Sequence, residues 1–252
     1  MTLARIASAL ITICLSLAGS ARFANAQSIW TDRTRISINA GAQATSSTFT
    51  ATQNVPVYQQ TATLTSAYEV PSGAFFDADV ILRVSGGLGV DVGASSFTSS
   101  EAATITGTIP HPTVFGRLRP ISGTTSPLER HEIGGHIDAA YLASAGRLDV
   151  AVAGGLAFFT VNQDLAADVG YAESPTFDRV TFTGATVSNA MATAIGLDAG
   201  IDVGFKLSKN VGVGAILRYS RASLTFPLVN TASGAHADAG GAHAGAGLRL
   251  YF

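Results

Sequence analysis

The sequence predicts an all-β fold, an eight-stranded up-and-down antiparallel transmembrane barrel, and three observations predict it. A secretory leader opens the chain, eight later segments alternate apolar with polar residues, and the connections between those segments are short and long in strict turn.

Residues 1–26, MTLARIASALITICLSLAGSARFANA, place Arg5 before an apolar stretch from Ile6 to about Leu17, then small residues ending in Ala24-Asn25-Ala26. This is the charged, apolar and small-residue order of a cleaved signal peptide, and its apolar stretch is too short to span a bilayer. Cleavage recognised through Ala24 and Ala26 leaves residues 27–252 as one barrel domain. The only cysteine, Cys14, is lost with the leader, which excludes disulfides, cysteine zinc sites and redox motifs. Arg5 and Arg22 also leave, so the remainder carries a net charge of −4, which argues against nucleic acid as a partner. Charged residues make up only 13% of the chain, about half the usual share, yet no later run of 18 apolar residues offers a membrane helix. A closed barrel is the remaining way to cross.

Each strand follows from its period of two. Residues 33–45 set Ile36, Ile38, Ala40, Ala42 and Ala44 against Ser37, Asn39, Gly41 and Gln43. Residues 75–84 set Phe76, Ala78, Val80, Leu82 and Val84 against Asp77, Asp79 and Arg83; residues 88–97 oppose Leu88, Val90 and Val92 to Gly89, Asp91 and Gly93. Residues 129–142 pair Ile133, Ile137 and Tyr141 with Glu132, His136 and Asp138, and residues 148–161 pair Leu148, Val150, Val152 and Leu156 with Asp149 and Gly155. The cleanest is AIGLDAGIDVGFKL, where Ile195, Leu197, Ile201, Val203 and Phe205 alternate with Gly196, Asp198, Asp202, Gly204 and Lys206. Residues 211–220 place Val211, Val213 and Leu217 opposite Gly212, Gly214 and Arg218, and residues 240–252 place Leu248, Leu250 and Phe252 opposite Gly247, Arg249 and Tyr251.

In this list the polar phase mixes glycine with isolated charges of both signs, which suits the cramped interior of a small barrel, while the uncharged phase suits lipid. Ser85–Gly87, Ser144–Arg147 and Ser208–Asn210 are short turns; residues 46–74, 98–128, 162–192 and 227–238 are expected as long polar loops holding or bordering all eight prolines. The alternation of residues 58–70 and 102–109 allows the loop-side hairpins to continue beyond the membrane. Aromatic girdles are expected from Trp30, Tyr141, Phe205, Tyr251 and Phe252 on the short-turn side, and from Phe76, Phe97, Phe158, Phe159 and Phe226 on the other. The chain ends on Phe252 because the last strand is expected to pair with the first.

The leader, the eight segments and the terminal LRLYF resemble the bacterial eight-stranded outer-membrane β-barrel proteins, the group of OmpA transmembrane domains, OmpX and opacity-type proteins. The resemblance implies a place in the bacterial outer membrane, contact with its lipid and lipopolysaccharide, and a monomeric state. It implies biogenesis through the barrel-assembly machinery, read from Leu248, Leu250 and Phe252. Unlike full-length OmpA the chain is expected to end at the barrel, with no cell-wall domain.

The candidate site is the set of inward charges: Asp77, Asp79, Arg83, Asp91, Glu132, His136, Asp138, Asp149, Asp198, Asp202, Lys206, Arg218 and Arg249. The favoured reading is a plugged network in which Arg83, Lys206, Arg218 and Arg249 pair with the acids, because unpaired charges are costly to bury. Since acids outnumber bases, a narrow cation-favouring, porin-like channel is the runner-up. HEIGGH (131–136) is not a zinc helix motif, because its histidines are five apart and fall on opposite faces of a strand. Gly87, Gly89 and Gly93 lack the spacing and the helix of a dinucleotide fingerprint. A lipid-modifying enzyme built on His131 and Ser126 is a weaker alternative, as is a soluble lipocalin-like binder with the apolar phase inward. No catalytic residue, cofactor or metal ligand is expected, and a structural or surface-interaction role through the long loops is the leading reading.

Overall fold

The computed structural model describes residues 32–228 and 234–252. The leader, Ala24 and Ala26, and Trp30 lie outside the described residues. Ten strands follow in order: β1 (Thr34–Gln43), β2 (Ser47–Val57), β3 (Gln60–Val70), β4 (Gly73–Ser85), β5 (Leu88–Pro110), β6 (Leu118–Ala145), β7 (Leu148–Glu173), β8 (Val180–Lys206), β9 (Val211–Phe226) and β10 (Ala235–Tyr251). Eight of them close a ring. β1 pairs with β4, β4 with β5, each later strand with the next, and β10 returns to β1, every pair antiparallel. The closing register runs from Arg35 opposite Tyr251 to Gln43 opposite His243, and Phe252 exchanges backbone hydrogen bonds with Thr34. Closure leaves no free edge in this part of the molecule.

The sidedness is that of a barrel in lipid. Ile38, Val92, Ile137, Val152, Leu156, Ile201 and Leu217 face out and are exposed, while the charged phase is buried inside, the reverse of a soluble barrel. On β7 the outer apolar row runs from Leu148 to Phe158, about the length a tilted strand needs to cross hydrocarbon. Short turns join β4 to β5, β6 to β7 and β8 to β9 at one end, as the sequence predicts.

The long connections are not simple loops. Residues 47–70 form the β2–β3 hairpin, which leans on β5 through Thr63 to Ala67, and β5–β6 and β7–β8 continue as strands well past the belt. Residues 102–109 do extend their hairpin in this way. Above the level of Arg130 opposite Gln163 and Leu197 opposite Arg221, β6 no longer pairs with β7, nor β8 with β9. The wall splits into two sheets that pack face to face on Leu64, Ile105, Ile109, Ile121, Val169 and Phe182, forming a head above the barrel. Prolines that fall within strands sit at strand ends, edges or irregularities, and Pro110 is the last residue of β5. Pro56 lies on edge strand β2, Pro120 on the edge of the head, and Pro127 where β6 advances three residues while β5 advances two.

The girdle expectation needs correction. Tyr141, Phe205, Phe76, Phe158 and Phe252 do face outward, but Phe97, Phe159, Phe226 and Tyr251 are buried inside. Parity decides this: each of the four occupies the inward phase of its strand.

Candidate functional site in the barrel interior

The interior is stacked in layers. Ile81, Ala140, Leu142, Ala151 and Tyr251 fill the short-turn end. Phe75, Phe97, Phe159, Val161 and Phe226, with Phe49 and Tyr68 of the β2–β3 hairpin, fill the other. The two hairpin rings stack 4.6 Å apart, and Phe49 reaches within 6.1 Å of Phe226. Charges occupy the space between.

Arg218 on β9 is the hub. Its guanidinium donates to Asp77 at 2.8 Å, to His136 Nδ1 at 3.0 Å and to Asp91 at 3.4 Å, and lies 3.5 Å from Asp198. Asn39 donates to the second oxygen of Asp77 at 3.0 Å. One layer nearer the short turns, Arg249 meets Asp202 at 3.0 Å and donates to Asn39 Oδ1 at 2.7 Å. Arg35 joins the same carboxylate at 3.2 Å. Lys206 bridges Asp32 and Asp149, 3.6 Å from the latter, and sits 4.5 Å above the Tyr251 ring. Arg83 is half-buried and its Nε donates to the Asp32 carbonyl at 3.1 Å. Glu132 stands apart at the upper end, accepting from Arg130 at 2.6 Å and from the Gly240 amide at 3.0 Å. Gly93 makes room for this packing, since a Cβ there would lie 2.8 Å from His136 Nε2.

All thirteen predicted charges therefore lie on the inner phase, although Glu132 belongs to a separate pair. Sequence reasoning omitted Arg35 and Arg130, both fully or nearly buried. Arg35 shares the phase of Ser37 and Asn39, so parity alone would have found it.

Asp91, His136 and Asp138 offer atoms within 4.8 Å of one another. His136 Nδ1 lies 3.0 Å from the Arg218 guanidinium, which only donates, and its Nε2 lies 3.7 Å from Asp91. On the outer wall His131 is half-buried, and Ser96, not Ser126, comes within 3.5 Å of its Nε2. The pair has no acid joined to it among the described hydrogen bonds, so it lacks the third group of a triad.

The tip of the head is the second candidate. His111 Nδ1 accepts from the Thr113 and Val114 amides at 3.2 Å each, Gly116 donates to Gln60 at 2.7 Å, and Arg117 meets Asp178 at 2.8 Å. Arg119, buried, joins Glu173 and donates to the Phe177 carbonyl at 2.9 Å. Hydrogen bonds from Thr176 and Arg117 hold the Asp178 carboxyl below its usual range. Desolvation and its bond to Glu173 push the Tyr58 phenol up to about 12.

No family model matches this sequence, and no curated protein matches it. Its fold is similar to solved structures at low identity. For the outer membrane protein OprG from Pseudomonas aeruginosa the TM-score is 0.44 at 10% identity, over 88% of this chain and 97% of that one. For the outer membrane protease OmpT from Escherichia coli it is 0.48 at 10% identity, over 89% and 98%. For neisserial surface protein A it is 0.39 at 16% identity, over 87% and 97%. These likenesses concern the course of the chain and transfer no residue's role.

Proposed function

We propose that this is an integral protein of the bacterial outer membrane, closed along its axis, that works without catalysis as a surface-binding protein through its head. The observation that carries the reading is Phe115, 87% exposed at the tip of a loop that hydrogen bonds and ion pairs pin on every side. An exposed aromatic held rigid loses little freedom on binding, which is what a recognition residue needs. Val114, Leu118, Phe177 and Tyr58 on the same three converging tips are exposed too.

The apolar belt and the leader support the membrane placement, with short turns on the periplasmic side and the head outside. Leu248 and Phe252 stand on the outer face, where the assembly machinery and then membrane lipid and lipopolysaccharide would meet them. The apolar layers at both ends of the charged interior favour a plugged monomer over the narrow channel.

The test compares cells displaying the full chain with cells displaying Phe115→Ser, matched for surface amount and for heat-dependent gel mobility. Adhesion to immobilised proteins and glycans and clumping of the cells are scored, and the purified chain is inserted into planar bilayers. Adhesion or clumping that disappears in Phe115→Ser, with silent bilayers, is the expected result. Unchanged adhesion and clumping together with discrete conductance steps would replace this reading with the channel.

A further inference from the structure

At the apex of the head the backbone bonds to the protein itself. In the turn between β5 and β6 the His111 amide donates to the Arg117 carbonyl at 2.8 Å, and the Arg117 amide donates to the Val114 carbonyl at 3.3 Å. His111 Nδ1 takes the Thr113 and Val114 amides, Gln60 Oε1 takes the Gly116 amide, and Pro112 has no amide to satisfy. On the β7–β8 turn the Phe177 amide donates to the Ser174 carbonyl at 2.8 Å and the Arg179 amide to Ser174 Oγ at 3.1 Å. A loop that stays in water can leave such groups to the solvent. A loop that enters lipid must satisfy them internally.

The outward side chains match that backbone. Phe115, Val114, Leu118, Phe177 and Tyr58 are exposed on three turns that these contacts tie together, so the apolar surface is a set of fixed projections. A protein partner must offer a pocket for each such anchor, whereas a bilayer takes them in without prior fit. Charge is ordered as well. Both acids of the apex are matched, Glu173 by Arg119 and Asp178 by Arg117. Arg179 is exposed with no carboxylate partner among the described residues, while the exposed Glu69, Glu101 and Asp168 stand lower on the head. The apex is therefore the positive end of an acidic chain.

We infer that the partner of this tip is the lipid of an opposing membrane. Phe115 and its apolar neighbours enter the headgroup boundary of an anionic bilayer, Tyr58 lies at that boundary, and Arg179 meets the negative charge of the headgroups. The inference rests on the surface-binding reading of the head and names its partner.

The full chain is placed in phosphatidylcholine nanodiscs and mixed with phosphatidylcholine vesicles that contain or lack phosphatidylglycerol, and flotation separates bound from free. Flotation with the anionic vesicles is expected, weaker at high salt, and Phe115→Ser should lower the partition about 10-fold or more. Arg179→Gln should lower it about fivefold on anionic vesicles alone. In Phe115→Trp, brominated lipid in the vesicles should quench the added emission, with the unsubstituted protein giving the Trp30 background. Heat-dependent gel mobility confirms that each variant is folded. No quenching, or equal flotation of wild type and Phe115→Ser, would overturn lipid as the partner. If adhesion to proteins or glycans still depends on Phe115 in that case, the surface-binding reading stands with another partner; if it does not, both fall. Equal flotation with neutral vesicles, or indifference to Arg179→Gln, would overturn the choice of an anionic surface.

Discussion

β5 runs from the barrel into the head without changing parity, yet its two halves are opposite in character. In the belt Val90 and Val92 face out and Asp91 faces in; in the head Thr104 and Thr106 face out while Ile105 and Ile109 are buried. β8 repeats the pattern, with Ile201 and Val203 outside and Asp202 inside below, and Thr181 and Thr183 outside and Phe182 packed inward above. The solvent explains the reversal. Lipid around the belt takes the apolar face and leaves charge to the interior, whereas water around the head takes the polar face. The two interiors should therefore respond to different perturbations.

The largest effect is expected in the belt. Arg218→Ala leaves Asp77, Asp91 and Asp198 without their shared partner, a loss of about 3–5 kcal/mol in urea unfolding from micelles. Arg117→Ala, which breaks an exposed pair in the head, should cost about 1 kcal/mol or less in the same assay. Equal losses would erase the distinction between the two regions.

Ile109→Ala should come next, at about 2–4 kcal/mol, because it opens a cavity in the head core. Limited proteolysis should then cut residues 102–124 while the barrel keeps its heat-shifted mobility. Simultaneous loss of both would show that head and barrel unfold as one unit.

The smallest effect is expected at Tyr58. Its phenol is raised in the fold, so the neutral form is favoured; that contribution is complete below the ordinary tyrosine value and lost as pH rises through about 12. Protease sensitivity of the tip should increase over that window, and Tyr58→Phe should abolish the pH dependence.

Much of this architecture was legible because strand parity is a local property. Eight ring strands, three short turns, the closing pair of first and last strands and the inner phase of thirteen charges all follow from period two. Misplacing Phe97, Phe159, Phe226 and Tyr251 in the girdles came from judging aromatics by height along the strand and not by phase. Treating residues 46–74, 98–128 and 162–192 as loops came from expecting one apolar phase throughout, when that phase changes face on leaving lipid.

By itself the sequence determined which residues share a face, because alternation is written into neighbouring positions. Only the tertiary structure decided which of those residues meet. Arg218 gathers acids from β4, β5 and β8, and three tips distant in sequence converge on Tyr58, His111 and Phe177. Such meetings depend on cross-strand register and on how the wall closes and splits, and those are set by long-range pairing that no local period encodes.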